Sequence, residues 1–364
     1  MKRIVILTVI GARPQFVKAA PVSAALAASG RFTEVVVHTG QHFDADMSDV
    51  FFAELGMAPP AWNLGIHGGG HGAMTGRMLE ALEERIEAEQ PDWVLVYGDT
   101  NSTLAGALAA AKLHVRVAHV EAGLRSFNRA MPEEVNRVLT DHVSDLHLCP
   151  TRQAIANLGR EGIEQGVHWT GDVMYDACRA AMQRPGGTAV VDRLGIGDCA
   201  FAVATVHRAE NVDDAESLRG VIDYLKAEAR DQVVVFPIHP RTRQALERFH
   251  IEAGPLRVCP PLGYLDMATL LSRCTKVLTD SGGLQKEAYF HGKPCVTLRA
   301  ETEWVETIEH GWNRLWRGPD YAVRRPIGDY GDGRAAERIV ALLEQRTAEH
   351  VRRRLAGTEP VRTI

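Results

Sequence analysis

Three acidic residues in the first half of the chain follow apolar runs or open a helical one. They are Asp99 in Tyr97-Gly98-Asp99-Thr100, Glu121 in His119-Val120-Glu121-Ala122-Gly123, and Glu133 in Pro132-Glu133-Glu134. Clustered carboxylates suit proton transfer and the stabilisation of developing positive charge. The competing reading of each acid alone is a helix cap, with Asp99 ahead of Thr100 and Glu133 in the first turn after Pro132. Two cations, Arg13 and Lys18, lie just after the first apolar run, in Gly11-Ala12-Arg13-Pro14-Gln15-Phe16-Val17-Lys18, where a helix start also attracts anions. In the second half, Asp280-Ser281-Gly282-Gly283 leads from an apolar run into a helical pattern. Glycines and free amides at a helix start favour phosphate, and Glu287, one turn on, is placed to accept hydrogen bonds from ribose hydroxyls. An ordinary capped turn is the alternative for that tetrapeptide. His207-Arg208 and His239-Pro240-Arg241 end two further runs and add titratable groups and cations.

The elements that must position these residues are short. Apolar runs at 3–10, 34–38, 93–97 and 115–120, and again at 201–206, 232–238, 256–258, 276–279 and 294–298, predict buried strands. Helical periodicity at 74–89, 103–112, 214–230, 265–273 and 333–345 separates them. Such alternation predicts an α/β protein of two doubly wound, Rossmann-like parallel sheets, with ligands beyond the carboxyl ends of the strands. The unusual residues fall at those ends. Two sheets whose strand ends face each other across a cleft would be the glycosyltransferase-B type. A polar stretch at 183–197, containing Arg184-Pro185-Gly186-Gly187, reads as a connecting region.

Composition narrows the function classes. The 364 residues suffice for two domains, and 41 Lys plus Arg against 46 Asp plus Glu give a net charge of −5. That balance lacks the basic footprint of a nucleic-acid binder. Cys149, Cys178, Cys199, Cys259, Cys274 and Cys295 show no Cys-x-x-Cys spacing and read as reduced core thiols. The first apolar run is too short for a signal peptide, and none reaches the ~18 residues of a membrane span, which points to a soluble cytoplasmic protein. His42, His67, His71 and His119 have no metal-ligand spacing, so no metal is expected. A P-loop and a dinucleotide fingerprint after the first strand are both missing.

Together these features describe a nucleotide diphosphate held mainly by the second half and a group held against the acids and cations of the first. A sugar nucleotide whose C1–O bond is broken fits that description. The ordered motifs, from Gly11-Ala12-Arg13-Pro14 through Tyr97-Gly98-Asp99-Thr100, His119-Val120-Glu121-Ala122-Gly123-Leu124-Arg125, Pro132-Glu133-Glu134-Val135-Asn136-Arg137 and Thr279-Asp280-Ser281-Gly282-Gly283 to Tyr330-Gly331-Asp332-Gly333, run over nearly the whole chain. In this the chain resembles the non-hydrolysing UDP-N-acetylglucosamine 2-epimerases, and most of all the branch acting on UDP-2,3-diacetamido-2,3-dideoxyglucuronic acid.

The resemblance implies a homodimer with a UDP-sugar substrate, no metal and no nicotinamide, serving surface polysaccharide biosynthesis. It implies a first domain over 1–175, rejoined by the C-terminal helix 333–346, and a second over 176–332. It places Asp99, Glu121 and Glu133 around the sugar, with His207 and Lys18 assisting. Arg13, Lys18, Arg208, His239, Tyr264, Ser281, Gly282, Gly283, Glu287 and Arg299 are expected to hold UDP. Three departures stand out. Ala12 and Gln15 replace a threonine and a glutamate of the plain GlcNAc enzymes, and a neutral Gln15 facing the pocket would admit a uronic acid. Trp304 replaces an arginine of Thr-Glu-Arg-Pro-Glu, with Arg299 as its substitute. Phe43 and Ala209 stand where substrate-activated members carry arginines. A glycosyltransferase of the same fold and a non-catalytic UDP-sugar sensor are the alternatives; the first would need an acceptor site and the second would have lost the acids.

Overall fold

Parallel strands and helices alternate along the whole chain in the computed structural model, which describes residues 3–41, 52, 54–183, 189–197 and 199–356. They form two units, Met1–Ala177 with Gly328–Ile364, and Cys178–Ile327. The first unit holds β1 (Ile4–Ile10), β2 (Phe32–His38), β3 (Trp62–Asn63), β4 (Trp93–Tyr97), β5 (Arg116–Val120), β6 (Leu146–Cys149) and β7 (Val167–Trp169) in the order β3-β2-β1-β4-β5-β6-β7. The second holds β8 (Phe201–Thr205), β9 (Val233–Pro237), β10 (Arg257–Cys259), β11 (Lys276–Thr279), β12 (Cys295–Thr297) and β13 (Asn313–Leu315) in the order β10-β9-β8-β11-β12-β13. Every pairing is parallel. Both sheets are therefore doubly wound, as the alternation predicts.

The strand order reverses between β1 and β4 in one sheet and between β8 and β11 in the other. At such switch points successive connections leave toward opposite faces and open a crevice at the carboxyl ends. Gly11 to Arg13 and Gly98-Asp99 flank the first switch point; His207-Arg208 and Asp280-Ser281 flank the second. Burial explains why the central strands are apolar throughout. Ile6, Leu7, Val9 and Ile10 of β1 and all five residues of β4 are buried, as strands covered on both faces must be.

Four strands lie outside the predicted set. β3 is two exposed residues, and β7 and β13 are three-residue strands of mixed character. β6 is fully buried but carries His147, whose Nε2 donates to the Asp141 carbonyl at 2.8 Å, so a polar residue interrupts what would have been an apolar run. The stretch at 183–197 is corrected in its latter part. Val190, Val191, Leu194 and Ile196 are buried in the core of the second unit, so 189–197 is core and not linker; Arg184 to Gly187 lie outside the described residues. Among the cysteines, five are buried, but Cys199 is exposed ahead of β8 and is no core thiol.

The final helix, Ala335–Leu355, belongs to the first unit. The Asp176 carboxylate accepts from the amides of Ala335 and Ala336 at 3.1 and 2.9 Å, closing two donors that a helix start leaves open. Further along, Ile339 and Leu343 are fully buried, and Trp93 Nε1 of β4 donates to Thr347 Oγ1 at 2.8 Å. No helix among the described residues is long and apolar enough to cross a membrane.

Candidate active site

The turn after β1 is built by close approach. A β-carbon at Gly11 would collide with the hydroxyls of Thr39 and Ser102, so only glycine fits. Two residues later begins the helix Arg13–Ser29, with Arg13 half-buried in its first turn. Gln15 is the brace of this turn. Its Oε1 accepts from Gly11 N and Ala12 N at 2.8 and 3.0 Å, and its Nε2 donates to Tyr97 O and Thr103 Oγ1 at 2.9 and 3.0 Å. Buried and fully engaged, Gln15 does not face a sugar, and the expectation that its neutrality selects a uronic acid is overturned.

One turn further along the helix, Lys18 forms an ion pair with Glu121, their side chains 13% and 9% exposed. Gly98 brings a second acid beside this pair. Its φ of +62° is glycine's region, and a β-carbon there would stand 3.2 Å from Lys18 Nζ and 3.3 Å from Glu121 Oε2. Glu121 also has a positive φ, +74°, a strained state for a side chain of its kind and one concentrated at functional sites. The next residue after Gly98, Asp99, pairs with Arg137 and is 30% exposed at its side chain. Asp99 is not a helix cap. The cap of Asn101–Lys112 is Thr100, whose hydroxyl accepts from Thr103 N.

Arg137 lies in the helix Pro132–Val143 and also pairs with Glu134 at 3.1 Å. Burial opposes its charge, but Asp99, Glu134 and Glu121 together hold its pKa above the ordinary arginine value. Burial would likewise raise Glu134, yet the amides of Ser126 and Phe127, the Ser126 hydroxyl and Arg137 hold it below the usual carboxylate range. Glu133 points the other way. It is exposed and, among the described residues, its side chain takes part in no hydrogen bond or ion pair. The structure thus gathers Lys18, Glu121 and Asp99 around Arg137, and leaves Glu133 outside that cluster. Sequence reasoning assigned no role to Arg137 or Glu134; the signal was their spacing of three residues on one helix.

In the second unit Asp280 is fully buried, and its carboxylate accepts from His207 N and Arg208 N at 2.9 Å each and from Asn211 Nδ2 at 3.0 Å. It ties the end of β11 to the end of β8. His207 stands 3.4 Å from the same carboxylate, and its ring lies 5.8 Å from that of His239. Burial pulls His207 below the ordinary histidine range despite Asp280, with Arg208, His239 and Arg241 acting in the same direction as burial. His239 caps the helix Pro240–Arg248, its Nδ1 accepting from Arg241 N at 3.2 Å.

Ser281 precedes the helix Gly282–Phe290 without a capping bond from its side chain, which removes the ordinary capped turn as an explanation. Glu303 packs against Gly282 where a β-carbon would collide with its carboxylate, and Glu287 comes within 4.0 Å of a β-carbon placed at Gly283. Arg299 reaches Glu210 at 2.7 Å and Glu303 at 2.8 Å, and Arg208 approaches Glu303 at 3.9 Å. Trp304 lies over Lys286, 4.0 Å from ammonium to ring centroid, so an indole paired with a buried lysine stands in the arginine's place. Tyr264 is buried at the start of its helix, and its hydroxyl meets Cys178 Sγ at 3.8 Å. His42 and Phe43 lie outside the described residues. No group of three or more His, Cys, Asp or Glu side chains among the described residues is arranged to hold a metal ion.

Comparison with known proteins places this geometry. The family model described as UDP-N-acetylglucosamine 2-epimerase matches residues 24–344. A UDP-2,3-diacetamido-2,3-dideoxy-D-glucuronate 2-epimerase of Pseudomonas aeruginosa is 51% identical over 93% of this chain and 99% of its own. A protein of Methanococcus maripaludis named as a UDP-N-acetylglucosamine 2-epimerase homolog is 50% identical over the same shares. The crystal structure of Methanocaldococcus jannaschii UDP-GlcNAc 2-epimerase, in complex with UDP-GlcNAc and UDP, is 39% identical with a TM-score of 0.81, covering 95% of this chain and 100% of that one.

Proposed function

The chain belongs to the UDP-N-acetylglucosamine 2-epimerase family, a family of isomerases, and from that membership we propose that it inverts C2 of a UDP-2-acetamido sugar, with UDP-2,3-diacetamido-2,3-dideoxyglucuronate as its preferred substrate. The observation that carries the reaction is the Lys18–Glu121 pair beside Asp99–Arg137 at a strand-order switch point. The C2 proton of such a sugar is not next to a carbonyl carbon and resists direct abstraction. Breaking the C1–O bond expels UDP and builds positive character at C1, which makes the C2 proton removable. The intermediate is a 2-acetamidoglucal; a proton then returns to C2 from the opposite face as UDP re-adds at C1.

In this reading Asp99 and Glu121 stabilise the cationic sugar and move the proton, with Glu133 joining them when substrate is bound. Lys18 and Arg137 each pair with one of these carboxylates. Arg13 and the start of the helix Gly282–Phe290 take the diphosphate, with Arg208, His239, Ser281, Gly282, Gly283 and Arg299, while Glu287 takes the ribose. His207, held neutral by burial, accepts a proton or a hydrogen bond. The working assembly is a homodimer. The preference for the diacetamido uronate rests on the 51% identical relative that bears that name; with Gln15 spent on its turn, no charge argument at that position supports it.

Purified protein incubated with UDP-GlcNAc and, separately, with the diacetamido uronate, without acceptor, tests the proposal. NMR should show the C2 epimer of each sugar, with the higher kcat/KM for the uronate. Conversion of neither would overturn the epimerase reading and favour a glycosyltransferase or a sensor, and a higher kcat/KM for UDP-GlcNAc would overturn the substrate assignment alone.

A further inference from the structure

We propose that His119 is a positioning residue, a doubly protonated imidazolium that sets Asp99 and Glu121 through the backbone around them; this rests on the epimerase reading above. His119 lies on β5 with no exposed surface. Its Nδ1 is 2.7 Å from Asp141 Oδ1 and its Nε2 is 2.7 Å from the Gly98 carbonyl oxygen. A carbonyl has no proton to give, and the Asp141 carboxylate already accepts from Gly123 N at 3.0 Å and pairs with the Arg125 guanidinium at 2.7 Å through its other oxygen, as a carboxylate does. Both ring nitrogens therefore donate, and an imidazole that donates twice carries a positive charge.

That cation reaches two strand ends at once. The Gly98 carbonyl belongs to the peptide that enters Asp99, and the peptide that leaves it is held by Asn136 Nδ2 on Asp99 O at 2.9 Å. Both peptide planes flanking Asp99 are thus fixed. On the other side, Asp141 Oδ2 accepts from Gly123 N at 3.0 Å and from Arg125 Nη1 at 2.7 Å, while Glu121 N donates to Leu148 O at 3.1 Å. Gly98, Glu121 and Gly123 all have positive φ, at +62°, +74° and +80°. Such backbone persists only where its surroundings over-determine it, and the His119–Asp141 pair is the part shared by both loops. His119 touches neither the Lys18 nor the Asp99 side chain in this arrangement; it acts through the chain that carries the acids.

His119→Gln is the test. An amide donates from one end only and cannot serve Gly98 and Asp141 together, while Arg125 still pairs Asp141 and keeps the buried carboxylate compensated. With the acids loosened, kcat should fall by about 10²-fold, the scale of a misplacement near 1 Å, while KM and UDP affinity change by less than about threefold. The variant should also release more free UDP and unsaturated sugar per epimerisation, because reprotonation is delayed. A lowered Tm with kcat and product ratio unchanged would reduce His119 to a structural residue and overturn the proposal. Should the variant not fold, ¹⁵N-histidine-labelled wild-type protein reads the charge directly. One imidazole with both nitrogens protonated and protected from exchange is expected at assay pH, and its absence would contradict the assignment. Failure of the epimerase reading looks different: the wild type would convert neither sugar, whatever its imidazole signals.

Discussion

Gln15 spends all four of its hydrogen bonds inside the first unit, and a glutamate there has no amide protons for Tyr97 O and Thr103 Oγ1. Gln15→Glu should therefore lower Tm through at least one unsatisfied buried group, worth about 1–3 kcal/mol, and leave the ratio of kcat/KM between the uronate and UDP-GlcNAc unchanged. A selective loss of the uronate would restore a pocket role. His207 makes the complementary prediction in pH. Burial holds it below the ordinary histidine range, so it is neutral near pH 7 and activity should be lost only on acidification, below about pH 6.5. His207→Gln should flatten that acid limb in kcat/KM, and a limb that stays in the variant would assign it to another group. At this scale the gathering of Asp99, Glu121 and Lys18 was legible, because the two acids follow the ends of apolar strands and the lysine lies early in the helix that follows another. Arg137 and Glu134 were not, since neighbouring Glu133 and Glu134 look alike until the rotation of the helix Pro132–Val143 decides which one turns inward. Gln15 failed for the same reason: its type was read correctly and its direction was not contained in its type.

Among the elements, strands covered on both faces announced themselves, with β4 and β11 at their predicted bounds. Edge strands did not. β3, β7 and β13 bury too little to need an apolar run, and each is held by pairing with the strand that precedes it in the chain. The last helix shows how tertiary contacts complete an element that periodicity only outlines. It was expected to end near 346 and continues to Leu355, seated by Asp176 at its start and by Ile339, Leu343 and Thr347 along its length. Leu343→Ala should destabilise the first unit by about 2–5 kcal/mol, the usual range for a large-to-small change in a core, read as a fall in the midpoint of urea unfolding. A loss under about 0.5 kcal/mol, the scale of exposed positions, would mean that the helix is dispensable to that unit.

At the scale of the whole molecule, two doubly wound sheets each present their unusual residues at a reversal of strand order, acids and cations in one and a helix start with histidines and arginines in the other. The sequence carried this duplication because each half repeats the same short grammar of strand, polar turn and helix. The junction it marked at 183–197 fell partly on core, because four apolar residues at 190–196 outweigh the polar ones around them. Family membership over 24–344 then turns the two sets of strand-end residues into one expected chemistry, expulsion and return of UDP around a transient glycal. Turnover in heavy water tests that claim most directly. Elimination and re-addition predicts solvent deuterium at C2 of both epimers, with the rest of the ring unlabelled. Epimerisation that keeps the original hydrogen at C2 would contradict it.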